Sequence, residues 1–130
     1  MNSVDTNVIL RFLLNDVPAQ TTKAKQILSS PPVYVSDVVF TEAVFVLENS
    51  LGYDRRSVVS LLRVLLTVPG LVYSDHLLSD VLTMYENKRS LSFVDCYAST
   101  EAGKFGVKLF TFDKKLQNQG GAHVSEPYQS

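Results

Sequence analysis

The sequence predicts an α/β fold of three layers, a central parallel sheet of about four to five short strands flanked by helices. Short strand-like runs alternate with helical ones along the chain. Four of those runs end in an aspartate: "NSVD", "VYVSD", "LVYSD" and "VKLFTFD". No repeat, low-complexity tract or linker interrupts the pattern, so residues 1–130 are expected to form a single domain.

Residues 2–5 form the first expected strand, after which Val8, Ile9, Phe12 and Leu13 recur at helical spacing. A second helix covers 18–28 and closes at "SSPP". The strand 33–37 ends in capping residues and leads into a helix that runs to Leu51, with Gly52 as its stop. Asp54 can cap the helix 55–67, which "PG" at 69–70 terminates. Strand 71–75 repeats the strand-then-cap pattern and is followed by a helix to Lys88. Ser92 starts a further helix ending near Gly103 or Gly106, 107–113 is the clearest strand, and 122–125 is a weak last one. In a parallel sheet of this kind the functional site lies beyond the carboxyl ends of the strands, which is where Asp5 stands.

Hydrophobic residues make up 45% and charged ones 19%, as in a soluble globular chain. Twelve Lys and Arg against thirteen Asp and Glu give a formal charge of -1, so no basic excess announces nucleic acid. A bound divalent cation can supply the positive charge that the sequence lacks. The single Cys96 cannot pair within the chain, which suits a reducing compartment. The apolar segment 8–14 is short and broken by Arg11, with no basic lead or cleavage site. It reads neither as a signal peptide nor as a membrane span, and a cytoplasmic protein is expected.

Asp37 and Asp75 follow Ser and precede helices, so capping accounts for them. Asp5 is followed by Thr6 and Asn7, which could cap the first helix unaided. Asp113 ends a Val- and Phe-rich strand before Lys114 and Lys115, where a surface turn is the plain alternative. Glu42 has Val38, Val39, Phe45 and Val46 one helical turn away, and a carboxylate set among apolar groups needs a partner or a metal. Asp95 completes a Ser92-x-x-Asp95 spacing that resembles a capping box, so cap and ligand compete as readings. His76 and His123 lack ligand spacing, and Cys96 reads as a small buried thiol.

Together the segments "VDTNVIL" (4–10), "TEAVFVLE" (41–48), "LSFVDCYAS" (91–99) and "LFTFDKKL" (109–116) resemble the four motifs of PIN-domain ribonucleases. Size and spacing are most similar to the VapC toxins of type II toxin–antitoxin pairs. The resemblance implies a PIN-like fold with catalytic, metal-holding carboxylates at Asp5, Glu42, Asp95 and Asp113, supported by Asn7 and Thr111. It also implies an RNA substrate, a cognate VapB-like antitoxin and a homodimer. Some members carry a further acid where this chain has Ser99.

A cluster of carboxylates is self-repelling unless cations intervene, and hard oxygen ligands suit Mg²⁺ or Mn²⁺. Such an ion activates water toward a phosphodiester and neutralises charge on the phosphate. No His pair or Lys–Tyr pair offers itself as general acid and base. That favours water attack, leaving 5′-phosphate ends, over attack by the 2′-hydroxyl. Arg11, Lys88, Arg89, Lys114 and Lys115 are candidate phosphate contacts. The apolar residues of helix 55–68 cover more than half its circumference, which points to a protein partner or to a helix buried between core elements.

The rival reading is a catalytically silent PIN-like or receiver-like module that binds RNA or protein. A receiver domain needs an adjacent acidic pair after the first strand, and a haloacid-dehalogenase phosphatase needs Asp-x-Asp. Here "DTN" stands in that place.

Overall fold

The computed structural model describes residues 1–128, which divide into two compact units, Met1–Ser74 and the part from Asp75 onward. All the strands among the described residues pair in parallel, as expected of an alternating α/β chain.

In the first unit β1 (Asn2–Ser3), β2 (Val33–Tyr34) and β3 (Leu71–Val72) lie in that order, with Val33 facing Asn2 on one side and Leu71 on the other. Helices α1 (Thr6–Leu14) and α2 (Pro18–Leu28) connect β1 to β2. Asp5, in extended conformation, caps α1 by accepting the Val8 N–H, and Ile9 and Leu10 bury its apolar side. Asn15 ends α1 in the left-handed region (φ 52°, ψ 37°), and Pro18 opens α2 at a position where its missing N–H costs nothing. The two helices pack together, and the Thr21 hydroxyl donates to the Arg11 carbonyl at 2.9 Å.

Helix α3 (Asp37–Phe45) is capped by Ser36, whose hydroxyl accepts the Val39 N–H. Asp37, expected as the cap, sits in the first turn instead and accepts a hydrogen bond from Ser74 Oγ at 3.1 Å. The helix expected to reach Leu51 widens after Phe45 into a π-helical stretch, Val46–Ser50, closed by Leu51 N–H on the Val46 carbonyl. Asp54 caps α4 (Arg55–Leu66) as expected, accepting the Ser57 N–H at 2.8 Å. Val58, Val59, Leu62 and Leu65 of α4 are buried, whereas Val64 is 56% exposed. Gly70 (φ 78°) faces Pro31 so closely that a Cβ there would overlap the proline ring.

In the second unit α5 (Asp75–Asn87) packs on α6 (Phe93–Phe105). Leu78, Val81, Leu82, Tyr85 and Cys96 are buried, and the Tyr85 and Phe93 rings meet edge-on at 5.6 Å. Gly106, left-handed at φ 68°, ends α6. Strands β4 (Leu109–Phe110) and β5 (Val124–Ser125) pair around α7 (Lys114–Gln119), a helix not among the elements expected from the sequence.

Every strand is two residues long, shorter than the four to seven residues expected, and the pairing runs as a three-stranded and a two-stranded set. Pairing continues one residue past three of the strands, with Val4 N–H on the Tyr34 carbonyl, Val35 N–H on that of Val72 and Thr111 N–H on that of Ser125. Asp5, Ser36 and Asp113 then turn the chain into helix caps.

Candidate active site

Asp5, Asp95 and Asp113 share one local arrangement: each stands at a helix N-terminus with a carboxylate oxygen on backbone N–H. Asp5 Oδ1 accepts Val8 N–H at 3.2 Å, and Asp113 Oδ1 accepts Lys115 and Leu116 N–H at 2.8 and 3.2 Å. Asp95 completes the capping box, its Oδ2 accepting Ser92 N–H while the Ser92 hydroxyl accepts Asp95 N–H, both at 3.1 Å. The capping reading of Asp95 is therefore correct as geometry. It does not exhaust the side chain, because Oδ1 of Asp95, like Oδ2 of Asp5 and of Asp113, has no hydrogen-bond partner among the described residues.

Glu42 departs from expectation. It is exposed, because the apolar residues meant to enclose it are themselves open to solvent, Val38 at 77% and Phe45 at 60%. Glu42 has no hydrogen-bond or ion-pair partner among the described residues. It follows Val39 by one turn of α3, and Val39 and Ser36 line a cavity of about 520 Å³ that reaches Asp5.

Thr111 positions Asp113. Its hydroxyl accepts the Asp113 N–H at 3.0 Å, and its carbonyl accepts the Gln117 side-chain amide at 2.7 Å, tying the strand end to α7. Asn7 is exposed and lines a second cavity beside Asp5, of about 550 Å³. Lys88, Arg89, Lys114 and Lys115 are all exposed. Arg11 is engaged: its Nη1 contacts both oxygens of Asp16 at 2.6 and 2.5 Å. That hydrogen-bonded guanidinium holds the Asp16 carboxyl below its usual range. The pairing contributes above the unfolded-state carboxylate pKa and fades as pH falls through the lower folded value, and solvent keeps it weak.

Gln20 and Lys23, which the sequence reading passed over, line the second cavity from α2. Their signal was available, since Gln20, Lys23, Ala24 and Ile27 repeat at helical spacing on the face toward α1. Ser99, at the position of a further acid in some similar chains, is buried, and its hydroxyl donates to the Gly120 carbonyl.

In each unit two acids keep unengaged carboxylate oxygens, Asp5 and Glu42 in the first and Asp95 and Asp113 in the second, hard donors of the chemical kind that suits Mg²⁺ or Mn²⁺. Among the described residues no group of three or more His, Cys, Asp or Glu side chains is gathered as a metal site.

The double role of Asp95 has a measurable consequence. Asp95→Ala should lower stability by about 1 kcal/mol, the usual cost of losing a capping side chain. Asp95→Asn retains an oxygen for the Ser92 N–H and should lose only the charge contribution, roughly 0.3–1 kcal/mol. Urea melts of both variants check the order, and an alanine variant as stable as the parent would remove the capping role.

A family model described as "PIN domain" matches residues 3–121. We found no significant match among curated proteins. Among solved structures the chain is similar to the Mycobacterium tuberculosis toxin VapC20, described as cleaving the sarcin–ricin loop. The two share 23% identity over 98% of this chain and 100% of that one, with a TM-score of 0.42.

Proposed function

The chain belongs to the PIN domain family, and from that premise we propose that it is a metal-dependent endoribonuclease, the VapC-type toxin of a type II toxin–antitoxin pair. The observation that carries this reading is that the matched span, 3–121, contains all four motif acids, Asp5, Glu42, Asp95 and Asp113. Residues 1–130 act in this reading as a single PIN domain.

Mg²⁺ or Mn²⁺, when bound, supplies charge neutralisation at the phosphate and a more acidic water. The chain supplies the rest. Asp5, Asp95 and Asp113 would hold the ion through their unengaged oxygens, each carboxylate kept from rotating away by its hold on a backbone N–H. Glu42, without a partner among the described residues, would orient the attacking water. Asn7 presents an amide beside Asp5, and Thr111 fixes the backbone of Asp113. The partners proposed are RNA, a VapB-like antitoxin and a second copy of the chain, with the exposed Val64 side of α4 open to a protein partner. A cytoplasmic location goes with the toxin reading, and no helix among the described residues is long and apolar enough to cross a membrane.

Purified protein should cut a structured RNA in Mg²⁺ or Mn²⁺ and stop in excess chelator. A deoxyribose at the scissile position should leave cleavage possible. Undiminished cutting in chelator would overturn the metal reading, and complete loss with deoxyribose would replace water attack by 2′-hydroxyl attack.

A further inference from the structure

We propose that the groove between α1 and α2 holds the sugar–phosphate backbone of the RNA, with Lys23 as a positioning residue on a phosphate next to the one attacked. This rests on the ribonuclease reading and adds to it a residue that none of the four motifs contains. The groove is the cavity of about 550 Å³ lined by Asp5, by Asn7 of α1 and by Gln20 and Lys23 of α2. Its floor includes Ala24, a buried small side chain that leaves room above it.

Charge decides what fits there. Arg11 also lines the groove, yet its guanidinium is clasped by Asp16 at 2.6 and 2.5 Å. Lys23 is the lining cation that meets no carboxylate, and Gln20 and Asn7 are likewise without partners among the described residues. An ammonium flanked by two side-chain amides presents donors to phosphate and ribose oxygens, contacts that position a strand without reading its sequence. Because Asp5 lines the same groove, a backbone lying there meets the proposed catalytic carboxylate.

The test is fluorescence anisotropy of a short fluorescein-labelled single-stranded RNA in EDTA, across a salt series, so that cleavage does not intrude. Losing one phosphate contact should reduce the logarithmic salt slope by about 0.7 and weaken binding roughly fivefold near 0.1 M salt. Lys23→Gln should show that change and Lys23→Arg should restore most of it. Lys25→Gln, which removes the same charge from another face of α2, should bind as the parent does. Glutamine suits an exposed helical site, so the variants are expected to fold. Equal losses in Lys23→Gln and Lys25→Gln, parent-like binding by Lys23→Gln, or no binding by the parent would each overturn the assignment. If the parent cuts RNA while Lys23→Gln binds normally, only the groove assignment fails. If binding depends on Lys23 but nothing is cut in Mg²⁺ or Mn²⁺, the nuclease reading fails and the groove stands.

Discussion

Asp5→Asn should slow RNA cleavage at saturating Mg²⁺ by at least about a hundredfold while leaving the fold intact. Lewis-acid stabilisation of phosphoryl charge is worth several kcal/mol, and each 1.36 kcal/mol is a factor of ten in rate. The structural cost of the change is small by comparison. An asparagine oxygen can still accept the Val8 N–H that Asp5 accepts now, so α1 keeps its cap and loses roughly 0.3–1 kcal/mol of charge–dipole stabilisation. Alanine at this position would confuse the two effects by removing cap and ligand together. The measurement pairs single-turnover cleavage with a urea melt of the same preparation. An Asp5→Asn protein that melts near the parent and cuts at the parent rate would take Asp5 out of the chemistry.

Expression of the parent chain alone should halt growth of a bacterial host, and Asp113→Asn should release it. Asp113 carries two N–H groups of α7 on one oxygen, a task that asparagine can retain, so the variant should accumulate as folded protein. What it lacks is the ionised oxygen proposed to face the cation. Viable counts after induction, at protein levels matched by immunoblot, read the outcome. Equal arrest by both proteins would separate toxicity from these carboxylates and favour a silent module that acts by binding.

The parts of the fold that could be read from the sequence were those fixed by neighbouring residues. Pro18 and Leu28 bound α2 as expected, and Asp54 and Ser92 cap the helices they precede. The Ser92-x-x-Asp95 box was visible as spacing because its bonds join residues three apart. What could not be read depends on distant groups. Strand ends are decided by where a parallel neighbour runs out, which no local pattern records. Helix α7 buries only Leu116, too little apolar surface to show a period. The exposure of Glu42 followed from Val38 and Phe45 remaining open, although their hydrophobicity argued for enclosure. Arg11 and Asp16, five residues apart, do not face each other on a continuous helix. They meet because Asn15 turns left-handed between them, reversing the chain.

If Asp5, Asp95 and Asp113 hold a cation as proposed, their shared arrangement ties its affinity to the breathing of helix ends. First turns fray readily, and each opening of these three would swing a carboxylate out of place. A cation held by the opposite oxygens resists that opening by mass action. The slowing of exchange at the Val8, Lys115 and Leu116 amides would then count bound metal without any RNA present. Helix nucleation and ligand preorganisation would then be one event, and loosening a first turn should weaken cation binding even when every proposed ligand is kept.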